Sequence, residues 1–193
     1  MRKYSKLAIV FSHTSPDETE AGTIVQLTNG TDTVELPDFE AALRLLPKGS
    51  EVVVLARGTV GNKTVHYISR IISENNVFVS LDLSEVTECT RVHDSPFEGN
   101  KQLVALRFPS NLATINPRAF AGCAALESLS IPETCRKIGE QAFAGCKRLR
   151  RIEFKSSAGW MANGAPADLT NPFENPRLFV HPRSAYYSQI LEK

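Results

Sequence analysis

The sequence predicts an α/β fold in which about four repeats of roughly 23 residues stack into a solenoid with a parallel sheet. Residues 103–125 and 126–148 are two copies of one 23-residue unit. Each copy carries apolar residues spaced as L-x-x-L-x-L, and the end of this motif alternates with the period of two that is typical of a strand. Because so short a unit cannot bury its apolar face alone, the copies must stack on one another.

The repeat extends beyond these two copies in both directions. Three apolar residues restart it on the C-terminal side: Leu149, Ile152 and Phe154. Three more show the same spacing on the N-terminal side: Phe78, Leu81 and Leu83. This earlier copy is two residues longer, and the extra length lies between Leu83 and Val92. We therefore divide the chain into an N-terminal cap (residues 1–76), repeats (77–155), and a degenerate repeat with a C-terminal cap (156–193).

Within a repeat, the strand residues alternate between the core and the opposite face. In the copy at 103–125, Leu106 and Phe108 are predicted to point inward and Arg107 outward. In the turn that follows, Phe120 fills the core and Gly122 takes a left-handed conformation. Stacking then places equivalent residues in columns, and one column is aromatic: Phe97, Phe120 and Phe143.

The repeat resembles the BspA-like, or treponemal-type, leucine-rich repeats of bacteria, whose unit reads roughly L-x-x-I-x-I-P-x-x-V-x-x-I-G-x-x-A-F-x-x-C-x-x-L. The second copy follows this pattern almost letter for letter: Leu126, Leu129, Ile131, Pro132, Cys135, Ile138, Gly139, Ala142, Phe143, Cys146 and Leu149. The resemblance covers about residues 75–155. It implies a right-handed leucine-rich repeat solenoid with strands on the inner face. It also implies proteins that bind other proteins or host surfaces, without catalytic residues.

Composition argues against several classes of function. The 22 Lys and Arg residues and 21 Asp and Glu residues leave a net charge of +1, so no overall field favours nucleic acid. No apolar run approaches the ~20 residues that a membrane span needs. The apolar segment 7–11 is too short for a signal peptide, and the first cysteine, Cys89, is not an N-terminal lipid site. The compartment stays open between the cytoplasm and the export or surface association that the resemblance implies.

The four cysteines are predicted to be free and buried. Cys123 and Cys146 share one column, and Cys89 and Cys135 share the column that Leu112 occupies in the middle copy. At inward positions a cysteine packs as a small hydrophobe. The histidines pair with none of the cysteines, whereas zinc sites use Cys-x-x-Cys or nearby histidine pairs. The sequence has no phosphate-binding glycine loop, G-x-S-x-G or H-E-x-x-H motif. We therefore predict no enzyme activity, cofactor or metal.

The flanks are predicted to cap the two ends of the solenoid, which would otherwise expose apolar surface. Short strands are expected at residues 7–11, 24–27, 33–36, 51–56 and 178–180. Asp38 can cap a helix over residues 39–46, and apolar spacing predicts a second helix over residues 63–74. Trp160 is expected to cover the last repeat, and residues 184–193 to form a C-terminal helix.

The candidate binding site is the outward face of the strands. By register it comprises twelve residues: Val79, Ser80, Asp82, Val104, Ala105, Arg107, Glu127, Ser128, Ser130, Arg150, Arg151 and Glu153. Val79, Val104 and Ala105 are expected to form a small exposed apolar patch, which often marks a binding site. The alternative is that the N-terminal cap folds over this patch.

These observations lead to two hypotheses about function. The first is a non-enzymatic module that binds another protein through its strand face. The alternative is a binder of a small apolar or lipidic ligand in a groove between the N-terminal cap and the first repeats. A basic cluster of Lys147, Arg148, Arg150 and Arg151 is either a solvated rim of the last repeat or a site for an acidic partner or anionic glycan.

Overall fold

The computed structural model describes residues 25–28, 33–36, 39–59, 62–87, 89–93, 95–156, 159–162, 165–166 and 191–192. Within them, the helices are α1 (Phe39–Arg44) and α2 (Asn62–Glu74). The strands follow in chain order: β1 (Val25–Thr28), β2 (Thr33–Leu36), β3 (Glu51–Thr59), β4 (Phe78–Thr87), β5 (Arg91–Val92), β6 (Leu103–Arg107), β7 (Thr114–Ile115), β8 (Ser128–Ile131), β9 (Lys137–Ile138), β10 (Arg151–Phe154), β11 (Met161–Ala162), β12 (Ala165–Pro166) and β13 (Leu191–Glu192).

The main sheet is parallel and has the strand order β10-β8-β6-β4-β3. Equivalent residues of neighbouring repeats face each other, so that Leu106 pairs with Leu129, and Leu129 with Ile152. One repeat therefore corresponds to one turn of the solenoid. This confirms a parallel-sheet solenoid of about four turns, in which β4, β6, β8 and β10 contribute one strand each.

A second sheet of two-residue strands runs along another side of the solenoid. β5, β7 and β9 pair in parallel and align Val92, Ile115 and Ile138. β13 pairs antiparallel with β9, and β11 and β12 follow beyond it. A strand from near the C-terminus therefore covers the edge of the last complete repeat.

The N-terminal elements continue the main sheet. β3 pairs in parallel with β4, and α2 makes the connection between them. β1 and β2 form an antiparallel pair. The predicted strands at 24–27, 33–36 and 51–56 and both predicted helices are confirmed, with ends displaced by up to three residues. The predicted strand at 7–11 lies outside the described residues. The domain boundary at residue 76 stays a prediction, and the sheet runs across it.

The aromatic column lies at the centre of one continuous hydrophobic core. Phe97, Phe120 and Phe143 are fully buried. Their rings stack with centroid separations of 5.2 Å and 5.5 Å. The turns beside the column repeat as well, because Gly99, Gly122 and Gly145 have φ of 73°, 75° and 73°. The predicted column and the left-handed conformation of Gly122 are both confirmed.

The cysteine column carries hydrogen bonds between repeats. All four cysteines are buried and none is in a disulfide, as predicted. The Cys123 thiol donates to the carbonyl oxygen of Phe97 at 3.0 Å, and the Cys146 thiol donates to that of Phe120 at 3.2 Å. A hydrogen bond with Cys146, together with burial, raises the pKa of the Cys123 thiol. The Cys123 thiol therefore stays protonated, and both thiols link neighbouring repeats through hydrogen bonds within the core.

Asn100 occupies the same column one repeat earlier and joins the first repeat to α2. Its side chain is buried, and both its amide nitrogen and its amide oxygen form hydrogen bonds. Nδ2 donates to the carbonyl oxygen of Ser69 at 3.2 Å, and Oδ1 accepts from the backbone N–H groups of Gln102 and Leu103 at 3.0 Å each. Because buried polar groups are costly when unpaired, this residue fixes α2 against the solenoid.

The C-terminal cap differs from the prediction. Trp160 is buried, and its ring meets that of Phe154 edge-on at 5.5 Å, which confirms that it covers the last repeat. The predicted helix at 184–193 is wrong at Leu191 and Glu192, which form β13. The open backbone edge of β9 offers hydrogen bonds there, and these outweigh helical side-chain spacing. The rest of that segment and the predicted strand at 178–180 lie outside the described residues.

Candidate binding face

The outward side chains of the main sheet form two rows that cross the strands, and we call them together the strand face. Pairing across the strands defines the small-residue row: Val53, Ser80, Ala105, Ser128 and Arg151. Two residues further along each strand lies the charged row: Leu55, Asp82, Arg107, Ser130 and Glu153. Each row takes one residue from every strand, because outward positions recur every second residue.

The small-residue row forms the floor of a groove of about 370 Å³. Ser80, Ala105 and Ser128 are half-buried and short, so a bound chain can approach the sheet closely. Val53 borders one end of the row with 41% of its surface exposed, and Arg151 borders the other. The floor is thus apolar at the β3 end and cationic at the β10 end.

The charged row holds two exposed ion pairs. Arg107 Nη1 lies 3.4 Å from Asp82 Oδ2, and Lys155 Nζ lies 2.6 Å from Glu153 Oε1. The hydrogen bond from Lys155 lowers the pKa of the Glu153 carboxyl. Exposed pairs of this kind contribute only about 0–1 kcal/mol to stability. A partner can therefore replace either pairing at little cost.

A wider groove of about 900 Å³ lies beyond the C-terminal ends of the strands. Its lining comes from the loops after β6 and β8 and from the charged row, and includes Arg107, Glu133, Thr134, Arg136 and Lys155. Three residues of the charged row border both grooves: Arg107, Ser130 and Glu153.

The structure brings together most of the residues that the sequence predicted for this face. Eight of them line the smaller groove: Ser80, Asp82, Ala105, Arg107, Ser128, Ser130, Arg151 and Glu153. Val104 lies within β6, and Glu127 and Arg150 directly precede β8 and β10; none of the three lines that groove. Whether these residues bind a partner stays a prediction.

Val79 is not on the face, contrary to the prediction. It is fully buried opposite Leu103, whereas Phe78, expected in the core, is half-exposed. The pairing between β4 and β6 shifts after Val79, because β6 has an additional residue at this point, Val104, that pairs with no residue of β4. A bulge of one residue exchanges the two faces of a strand. The expected apolar patch of Val79, Val104 and Ala105 therefore does not form.

Val53 and Leu55 provide the apolar end of the face instead, and neither was predicted from the sequence. Their strand was expected to belong to the cap rather than to the sheet of the repeats. The order strand–helix–strand over β3, α2 and β4 is the signal that predicts parallel pairing between the two strands. With that pairing, alternation in β3 places Val53 and Leu55 outward.

No membrane-spanning helix is found in the part of the chain that the structure describes. In the same residues, no group of three or more His, Cys, Asp or Glu side chains is arranged to hold a metal ion.

A family model described as a BspA type leucine rich repeat region, in six copies, matches residues 71–165. The matched range begins in α2, contains the four strands of the repeats and ends in β12. A comparison with curated proteins finds no match.

Proposed function

We propose that this chain binds another protein through its strand face. Residues 71–165 belong to the BspA-type leucine-rich repeat family, and such repeats suggest a protein-interaction module. The observation that carries the proposal is the pair of outward rows on one continuous sheet. A rigid face needs little ordering when a partner binds, and this reduces the entropic cost of association.

The chemistry of the face favours a protein surface as the partner. Hydroxyl groups, exposed ion pairs and few apolar side chains give the mixed polar character of a transient protein interface. Arg107 borders both grooves, and arginine is enriched among residues that dominate binding energy. The repeat family is typically non-enzymatic, and we propose no catalytic activity.

The alternative, a small apolar ligand between the N-terminal cap and the first repeats, has no observation in its favour among the described residues. Val52 pairs with Val79 at that junction, and both side chains are buried. They belong to the same core cluster as the repeats. The inward apolar surface there is used by folding, and the outward apolar side chains of β3, Val53 and Leu55, belong to the strand face.

Selection of displayed peptides on the whole chain tests the proposal. Peptides enriched on the native protein are measured against Ser128→Tyr, which fills the smaller groove, and against Thr114→Tyr on β7 of the second sheet. We expect Ser128→Tyr to weaken binding at least about tenfold, roughly 1.4 kcal/mol, and Thr114→Tyr to leave it unchanged. Equal binding to both variants, or no enrichment, would overturn a strand-face site. Circular dichroism melting confirms that both variants are folded.

A further inference from the structure

The near-neutral chain contains an acidic N-terminal part and a basic part within the repeats. Residues 1–100 carry fourteen Asp and Glu residues and nine Lys and Arg residues, a net charge of −5. Residues 101–156 carry ten Lys and Arg residues and four Asp and Glu residues, a net charge of +6. The repeats built on β6, β8 and β10 are therefore basic, although the whole chain has a net charge of only +1.

On the strand face, the cations concentrate toward β10. Arg151 ends the small-residue row, and Arg150 and Lys147 are exposed just before it. Arg148 lies 3.7 Å from Glu127, whereas Arg150 and Arg151 form no ion pair with a described residue. Both guanidinium groups are exposed, although Arg151 also acts electrostatically on Glu153. A carboxylate can take a bidentate hydrogen bond from a guanidinium group.

The opposite end of the face is apolar. Val53 and Leu55 lie on β3, and the floor between β3 and β10 consists of Ser80, Ala105 and Ser128. Neighbouring strands are about 4.8 Å apart, so β3 and β10 are separated by roughly 19 Å, which an extended chain spans with about six residues.

We propose that the strand face binds an extended acidic peptide segment of about six residues that crosses the strands. An apolar side chain at one end contacts Val53 and Leu55, and carboxylates toward the other end bind Arg107 and Arg151. This inference rests on the proposed function, and it names the chemistry of the partner. Arg107 leaves its ion pair with Asp82 and binds a carboxylate of the partner instead. Breaking the existing pair costs little free energy because the pair is exposed.

A nucleic acid fits the same surface less well. Asp82 and Glu153 stand in the charged row among its cations, and Glu133 borders the wider groove. A continuous phosphate backbone across the sheet would meet these carboxylates, whereas a peptide can place separate carboxylates opposite Arg107 and Arg151 only. Charge complementarity therefore favours an acidic peptide.

Fluorescence anisotropy with two labelled six-residue peptides tests this inference on the whole chain. The probe has two leucines at one end and two glutamates at the other, with serines between, and its control carries glutamines in place of the glutamates. We expect the glutamate peptide to bind at least about tenfold more tightly at low salt, with affinity falling as salt screens the charges. Equal affinity for the two peptides would overturn the inference.

Two arginine variants then locate the site. Arg151→Ser introduces the residue found at the equivalent position of β8, and Arg91→Ser makes the same change on β5 of the second sheet. We expect about fivefold or greater loss of glutamate-peptide binding for Arg151→Ser and no loss for Arg91→Ser. Equal losses would indicate general charge attraction and overturn the inference. So would tighter binding of a six-nucleotide single strand than of the glutamate peptide.

The two proposals fail in different ways. If displayed peptides depend on Ser128 but are not acidic, the strand face still binds protein and only the acidic chemistry is wrong. If no selected peptide depends on Ser128, the proposed function itself fails.

Discussion

Replacing Phe120 with alanine tests how the stacked column holds the solenoid together. Phe120 is fully buried and lies between Phe97 and Phe143, with centroid separations of 5.2 Å and 5.5 Å. Phe108 meets it edge-on at 5.6 Å. Truncating a buried phenylalanine costs about 3–5 kcal/mol, and aromatic pairs add about 0.5–1.5 kcal/mol each beyond burial. Because Phe120 contacts three rings, Phe120→Ala should lower the free energy of unfolding by about 5 kcal/mol, near the upper end of this range.

Urea denaturation measures this loss, provided that the slope with denaturant is unchanged. Phe97→Ala is the matched control: among the described residues its ring stacks on Phe120 alone, and its truncation should lower the free energy of unfolding by about 3 kcal/mol. Total stability is typically about 5–15 kcal/mol, so Phe120→Leu, a milder change, keeps the measurement possible if the alanine variant unfolds. A loss below about 1 kcal/mol for Phe120→Ala, or a larger loss for Phe97→Ala, would refute the column as the main support.

Three further changes address other parts of the core. Gly139→Ala should lower the free energy of unfolding, measured by urea denaturation, by about 2 kcal/mol, because its Cβ would lie 2.3 Å from the backbone nitrogen of Pro117. A decrease of less than about 0.5 kcal/mol would contradict this contact. Asn100→Ala should lower the free energy of unfolding by about 2 kcal/mol and speed amide hydrogen exchange at Leu103, whose N–H loses its acceptor. Unchanged exchange would show that the hydrogen bond from Leu103 to Asn100 is not formed. A thiol reagent should modify few cysteines in the native protein and all four in denaturant without reductant, because burial raises the pKa of thiols such as Cys89; fewer than four would reveal a disulfide.

The sequence predicted the columns because equivalent residues lie one repeat apart. Phe120 and Phe143, like Cys123 and Cys146, are separated by 23 residues, and stacked turns must place such residues above one another. Alternation within a strand then separates the core from the face, which is why Arg107 was placed correctly. These predictions needed only the repeat length and the period of two.

What the sequence did not predict depends on contacts between segments that do not repeat. The bulge at Val104 leaves the spacing of leucines in β6 intact, so the spacing cannot reveal that Val79 turns inward. β13 forms because Leu191 meets the edge of β9, a pairing between residues far apart in the chain. The uneven charge was visible in the sequence and was hidden only by summing over the whole chain.

The interior and the face of the solenoid obey different constraints. Most interior columns stay apolar, as in Val92, Ile115 and Ile138, because each side chain lies between stacked neighbours at close-packed density. Across the same turns the small-residue row holds serine, alanine, serine and arginine, since no stacked side chain limits an outward residue. Surface substitutions usually alter stability by no more than about 0.5 kcal/mol. Substitutions on the strand face should therefore preserve the fold, so that variants such as Arg151→Ser report on the proposed binding alone.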